Sequence, residues 1–246
     1  MNPGLPLARV MLLTLVELRK VLYTRVSQAV LLCTLAVGLL ISAALTLVGA
    51  DNAGRVDLSG PMVSLSLAVA LGTPLIGVLI MTGDWNSREV VTLFLLEPRR
   101  ARVFASKVAA TVLLSAMTVV AVILLSGAFA AATALALRVP LTVGDASSEI
   151  GPLLVACFIG AISGAALASA IMSTPLAVAA VIIQTAVVDP ILSLAPVSWG
   201  AYVAPSSVAN YFEGTADIGP AASAAALWIV LPLTVGLWRT CRREVR

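Results

Sequence analysis

VAATVLLSAMTVVAVILLSGAFAAATALAL, residues Val108–Leu137, runs for thirty positions without a charged side chain. A helix rises about 1.5 Å per residue, so about twenty apolar residues cross a hydrocarbon core of roughly 30 Å. This stretch has length to spare and reads as a membrane span.

Five more stretches flank it. Val26–Gly49 and Pro61–Gly83 precede it; Pro152–Ser173, Leu176–Val188 continuing to Val197, and Pro220–Trp238 follow. None contains Asp, Glu, Lys or Arg, apart from Asp189 near the end of the fifth. The last ends in Trp238-Arg239, a pairing expected where a helix leaves the bilayer. Only Ser173-Thr174-Pro175 separates the fourth from the fifth, and Pro175 predicts a tight turn or a kink there. The fold class expected is therefore an all-α polytopic membrane protein with six spans.

Composition and charge agree. Apolar residues make up 60% of the chain and charged residues 11%, against roughly 25% charged in a soluble domain. Of the fifteen Lys and Arg, only Arg55 and Arg138 fall on one side of the predicted topology. The other thirteen lie before span one, between spans two and three, and after span six. The positive-inside rule then places both termini in the cytoplasm of a cell whose inner (plasma) membrane holds the chain. The basic residues serve topology, so no nucleic acid partner is expected. Span one is longer than a secretory h-region of about 7–15 residues and reads as an anchor, although Val48-Gly49-Ala50 has the small residues of a cleavage site. Cys33 and Cys157 sit in spans and Cys241 in the basic tail, so no disulfide framework is implied.

Several chemistries drop out. The chain has no histidine, which removes Ser-His and Cys-His nucleophilic pairs and imidazole metal sites. The acids Asp51, Asp57, Asp145, Glu149, Glu213 and Asp217 all fall in predicted outside loops. No catalytic, cofactor or metal residues are expected. No ionisable group sits near the middle of a predicted span, where an ion-coupled carrier would need one. Gln184 is the deepest amide, with an interhelical hydrogen bond as its expected role and pathway contact as the alternative. A phosphate-cradling loop needs G-x-x-x-x-G-K-[ST], and the two lysines, Lys20 and Lys107, follow Arg19 and Ser106 instead. Any ATP and Mg would belong to a partner chain, docked on the cytoplasmic side.

The loop after span two, residues 84–107, offers a docking element. It runs Asp84-Trp-Asn-Ser-Arg88-Glu89, then Val90-Val-Thr-Leu93-Phe94-Leu-Leu-Glu97, then Pro98-Arg99-Arg100 and on to Lys107. Val90, Leu93, Phe94 and Glu97 follow helical i, i+3, i+4, i+7 spacing, which predicts a short surface helix stopped by Pro98. Binding of anionic headgroups by the arginines is the plainer reading of the same charge.

These residues resemble the cytoplasmic loop of bacterial ABC transporter permeases of the type-2 export family. That loop reads acid-x-x-x-Gly-Thr, an apolar run, Thr-Pro-x-Arg, and a Lys entering the third span. Asp84, the Leu93–Leu96 run, Pro98-Arg99-Arg100 and Lys107 match; Arg88-Glu89 stands where the family has Gly-Thr. Near the start, Glu17-Leu-Arg19-Lys20 and Thr24-Arg25-Val-Ser27 resemble the Glu-x-x-Lys and Arg-x-Ser of the family's N-terminal elbow helix. The polar edge of that helix is expected to comprise Arg9, Glu17, Lys20 and Thr24, at the membrane surface.

The resemblance implies an interfacial elbow over residues 1–25, a six-span permease domain over 26–238 and a basic tail over 239–246. It also implies that Asp84, Arg88, Glu89, Phe94, Glu97, Pro98, Arg99 and Arg100 couple to an ATPase. Two ATPase copies, and a second permease copy or paralogue, would complete the assembly. Helix breakers and aromatics over residues 189–219 suit short re-entrant or interfacial helices on the outer side. Ala156, Gly160, Gly164 and Ala168 form a small-residue stripe on span four, expected to pack helices within the subunit, with a dimer contact as the alternative. The function expected is ATP-driven export of an amphipathic or hydrophobic cargo such as a drug, lipid or peptide. A membrane scaffold or immunity protein without an ATPase is the second reading.

Overall fold

The computed structural model describes residues 4–87, 99–144, 146–194 and 199–242. Among these, six helices are long and apolar enough to cross a membrane, as expected of a multi-pass membrane protein. Helix α1 (Gly4–Tyr23) ends at Thr24, whose extended backbone separates it from α2 (Arg25–Ala53). The Gln28 side-chain amide donates to the Leu22 carbonyl at 2.6 Å, bridging that break. Gly54 closes α2 in the left-handed conformation, at φ 62°, and its N–H returns to the Ala50 carbonyl.

Strand β1 (Val56–Asp57) leads into α3 (Ser59–Ser87), and α4 (Arg100–Leu137) is the longest helix. After α4, β2 (Leu141–Thr142) pairs in parallel with β1, so the connections that follow α2 and α4 meet at one end of the bundle. Helix α5 (Ala146–Ile171) is followed by Met172 at φ 57° and an extended Ser173; α6 (Thr174–Ile183) then starts with Pro175 in its first turn. The proline sits where its missing N–H costs nothing. Spans four and five are thus separate helices joined by a tight turn. A π-helical segment π1 (Gln184–Val188) continues α6 into α7 (Asp189–Leu194). Short helices α8 (Gly200–Val203) and α9 (Ser207–Phe212) fill much of the segment before span six, which comprises α10 (Ile218–Ala225), π2 (Ala226–Val230) and α11 (Leu231–Arg242).

Burial does not sort by hydrophobicity alone as it does in a water-soluble bundle. The fully buried positions mix Leu65, Ile76, Val78 and Val119 with Ala110, Ala130, Ala161, Ala165, Thr73, Thr82 and Thr111, whereas Leu40, Leu124 and Leu176 are about two-thirds exposed. In lipid a leucine gains nothing by leaving the hydrocarbon, and close backbone approach through small residues holds helices together. The buried threonines Thr46, Thr73, Thr82, Thr111 and Thr118 each donate to the carbonyl four residues earlier, so their hydroxyls are satisfied without crossing the interface.

The tightest crossing is α3 on α5. A methyl group at Gly77 would sit 2.5 Å from the Ala161 carbonyl oxygen, and one at Gly164 would overlap the backbone of Pro74. Of the stripe Ala156, Gly160, Gly164 and Ala168, the two glycines pack against Thr73 and Pro74 of α3 inside the subunit. Pro74 lies within α3, and its ring carbons stand 3.3–3.5 Å from a methyl built at Gly160.

Candidate functional site

Four of the charged residues that carried the sequence motifs converge. Glu17 and Lys20 lie one turn apart on α1 and share a face. Asp84 sits near the end of α3, and Lys107 two turns into α4. Lys107 Nζ lies 2.6 Å from Asp84 Oδ2 and 3.1 Å from Glu17 Oε1, and it donates to the Ile80 carbonyl at 3.0 Å. Lys20 Nζ pairs with Asp84 Oδ1. Two cations and two carboxylates make a neutral group, and three of the four are buried, with only Lys20 about a third exposed.

This placement corrects two expectations. Asp84 was expected to open the cytoplasmic loop, and Lys107 to close it; instead both are helical and buried, because α3 continues to Ser87 and α4 begins at Arg100. Glu17 was expected on a solvated edge, but turns inward to neutralise Lys107. Burial raises the Glu17 carboxyl above its ordinary range, an effect Lys107 opposes and Asp84 reinforces. Arg19 and Arg25 remain exposed. A cleft of about 380 Å³ opens beside the group, lined by Glu17, Lys20, Thr24, Ser27, Asp84 and Thr174 among others. Across it, Thr174 Oγ1 donates to Thr82 Oγ1 at 2.7 Å, tying the start of α6 to α3.

Arg88, Glu89, Phe94, Glu97 and Pro98 lie outside the described residues, as does the helix expected over Val90–Glu97. Arg99 is exposed and stands at the N-cap of α4. Arg100 donates to the carbonyls of Thr240 and Cys241, at 3.1 and 3.2 Å, and so caps the end of the last helix. Near that end, Arg239 donates to the Ala170 carbonyl, and the Arg242 guanidinium lies over the Trp238 ring.

At the other end of α6, Gln184 is buried and its amide donates to Ser163 Oγ at 3.0 Å, a bond between spans five and four. Gln184 also lines a second cavity, of about 180 Å³, together with Ala156, Gly160, Ser163, Asp189 and Trp228 among others. Nothing in the sequence patterns brought Asp189 into a site; its one signal was a carboxylate close to the end of an otherwise uncharged span. No protein-family model and no curated protein matches this sequence.

Proposed function

We propose that the chain is the permease subunit of an ATP-driven exporter in the cell inner (plasma) membrane, of the ABC type-2 export kind, with both termini in the cytoplasm. The observation that supports this reading is the buried group Glu17–Lys20–Asp84–Lys107. Residues 88–98 leave α3 four positions after Asp84 and enter α4 seven positions before Lys107. A force applied to that loop reaches both helices at the residues that also hold α1. A buried four-charge group adds little net stability over an apolar one of the same shape, so a mechanical role explains its presence better than stability does.

In this reading an ATPase, two copies per assembly, binds the 84–107 loop, with Phe94 as its apolar anchor and Arg88, Glu89, Glu97 and Arg99 around it. Nucleotide-driven closure of the ATPases moves α3, α4 and α1 as one unit. A second permease copy or paralogue supplies the other half of the pathway. Membrane-spanning walls of Ala, Leu, Val and Ser suit an amphipathic or hydrophobic cargo.

The test is transport in proteoliposomes by the chain with its co-purified partner. ATP-dependent movement abolished by substituting the partner's phosphate-loop lysine, and surviving collapse of the proton gradient, is the expected result. Isolation without a stoichiometric ATPase, or gradient-driven transport by this chain alone, overturns it.

A further inference from the structure

The cavity that Gln184 lines holds a half-buried carboxylate, Asp189, with no Lys or Arg paired to it among the described residues. Asp189 Oδ1 accepts the Ser206 backbone N–H at 2.8 Å. The sequence from 139 to 238 contains no Lys, Arg or His. Ser206 is among the residues lining the same cavity, and its Oγ is buried without a hydrogen-bond partner among the described residues. Trp228 forms another wall, its ring fixed by an Nε1–H bond of 2.7 Å to the Val203 carbonyl.

Two π-helical turns border the cavity. π1 runs directly into Asp189, and π2 carries Trp228 and Ile229. Such turns interrupt the regular helical ladder and are frequent at functional sites. A carboxylate within a span is costly unless it serves a partner.

We propose that this cavity binds the ammonium head of a lipophilic amine, with Asp189 as its counter-charge. Ser206 Oγ accepts one ammonium N–H, and the Trp228 ring offers a cation–π wall. The volume, about 180 Å³, suits an ammonium head and falls below the range of about 300–1,000 Å³ for a drug-sized pocket. The tail lies along apolar walls that include Ala70, Ile159 and Ile229. An anion meets the Asp189 charge, and the largely apolar lining, with Ala70, Pro74, Ile159 and Ile229, suits a cation that carries a hydrocarbon tail. The site lies far from the Glu17 group: fifteen helical residues separate Thr174 from Asp189, a rise of about 22 Å. The ammonium could belong to a free amine or to an aminophospholipid headgroup, and the site is defined by these residues whether or not the chain exports anything.

The experiment titrates octylammonium, with octanol as the uncharged control, into the full chain held in phosphatidylglycerol nanodiscs, by calorimetry. Asp189→Asn keeps an oxygen for the Ser206 N–H while removing the charge, and is expected to weaken octylammonium binding by about ten-fold, the loss of one charged hydrogen bond. Octanol should titrate identically against both chains. Ser206→Ala, which leaves the charge and the backbone bond, is expected to weaken octylammonium by about three-fold and carries the test should Asp189→Asn fail to fold. Exchanging half the lipid for phosphatidylethanolamine identifies the source within the proposal: competition assigns the headgroup, and unchanged affinity assigns a free amine. Equal octylammonium affinity in wild type and a folded variant, or an octanol response as sensitive to Asp189→Asn, overturns the site.

Discussion

Lys107 Nζ stands 2.6 Å from Asp84 Oδ2 while the Ile80 carbonyl accepts another of its protons, so one buried ammonium joins α4 to α3 by charge and by backbone together. Glu17, 3.1 Å from the same nitrogen, brings in α1.

Removing that ammonium leaves two buried carboxylates facing each other. Lys107→Met is expected to cost about 3–5 kcal/mol, the usual penalty for stranding a buried charge. Lys20→Met, which removes the more exposed cation, should cost about 1 kcal/mol or less. Thermal or denaturant unfolding in detergent measures both, and adding Asp84→Leu to Lys107→Met should recover part of the loss. Equal stability of Lys107→Met and wild type would remove the argument for a structural charge group.

Glu17 makes a pH prediction with a definite sign. Burial holds its folded pKa above the ordinary 4.5, so the native state binds the proton more tightly than the unfolded chain. The stability this group contributes is fully present below 4.5 and is lost as pH rises through the folded pKa. Relative to wild type, Glu17→Gln should therefore become progressively more favourable as pH increases above 4.5. Midpoints of unfolding for the two proteins across that range test this, and a difference that stays flat or moves the other way rejects it.

The α3–α5 crossing predicts a contrast between glycines. Gly164→Ala drives a methyl into the Pro74 backbone and is expected to cost about 1–3 kcal/mol, since backbone cannot give way as a side chain can. Gly127, on α4, has nothing within 4 Å of the corresponding position. Gly127→Ala should be neutral, or stabilise by up to about 1 kcal/mol through helix propensity. Paired unfolding measurements separate the two, and equal effects would mean that the crossing is looser than described.

The proposed orientation is tested by cysteine labelling in a background without Cys33, Cys157 and Cys241. The β1–β2 pairing puts Asp57 and Thr142 at one end of the bundle, so cysteines at both positions should react together with an impermeant reagent added outside intact cells. Arg99→Cys should react only after the membrane is opened. Labelling of position 99 from outside reverses the topology and removes the loop from the ATPase's side.

Arg100 separates capping from docking. Because its guanidinium holds the Thr240 and Cys241 carbonyls, Arg100→Ala should loosen the end of α11 at a cost of about 1 kcal/mol while leaving ATPase binding intact. Phe94→Ala should do the reverse, detaching or uncoupling the ATPase in a fully folded chain. Co-purification and unfolding of both variants decide the matter; loss of the ATPase with Arg100→Ala alone would move the docking anchor to the arginine.

The sequence by itself determined the six spans, because span length and absence of charge are local properties that the bilayer reads directly: Val108–Leu137 could be assigned without knowing any neighbour. For Gly160 and Gly164 it left packing within the subunit and a dimer contact both open, and for Gln184 an interhelical bond and a pathway contact; the glycine contacts with Thr73 and Pro74 and the Gln184–Ser163 bond come from the tertiary structure. Pairing across distant positions was a different matter. Glu17 and Lys107 are ninety residues apart, and the pattern on α1 put Glu17 on a wet edge; only the packing of α1 against α4 turned it inward. Asp84 looked like a loop residue because carboxylates usually end spans, and it is tolerated inside because two ammonium groups arrive from other helices. Asp189, Ser206 and Trp228 come from three separate segments and share no spacing in the chain. Their meeting depends on where α9 and π2 settle against α5 and π1, which no local property of the sequence encodes.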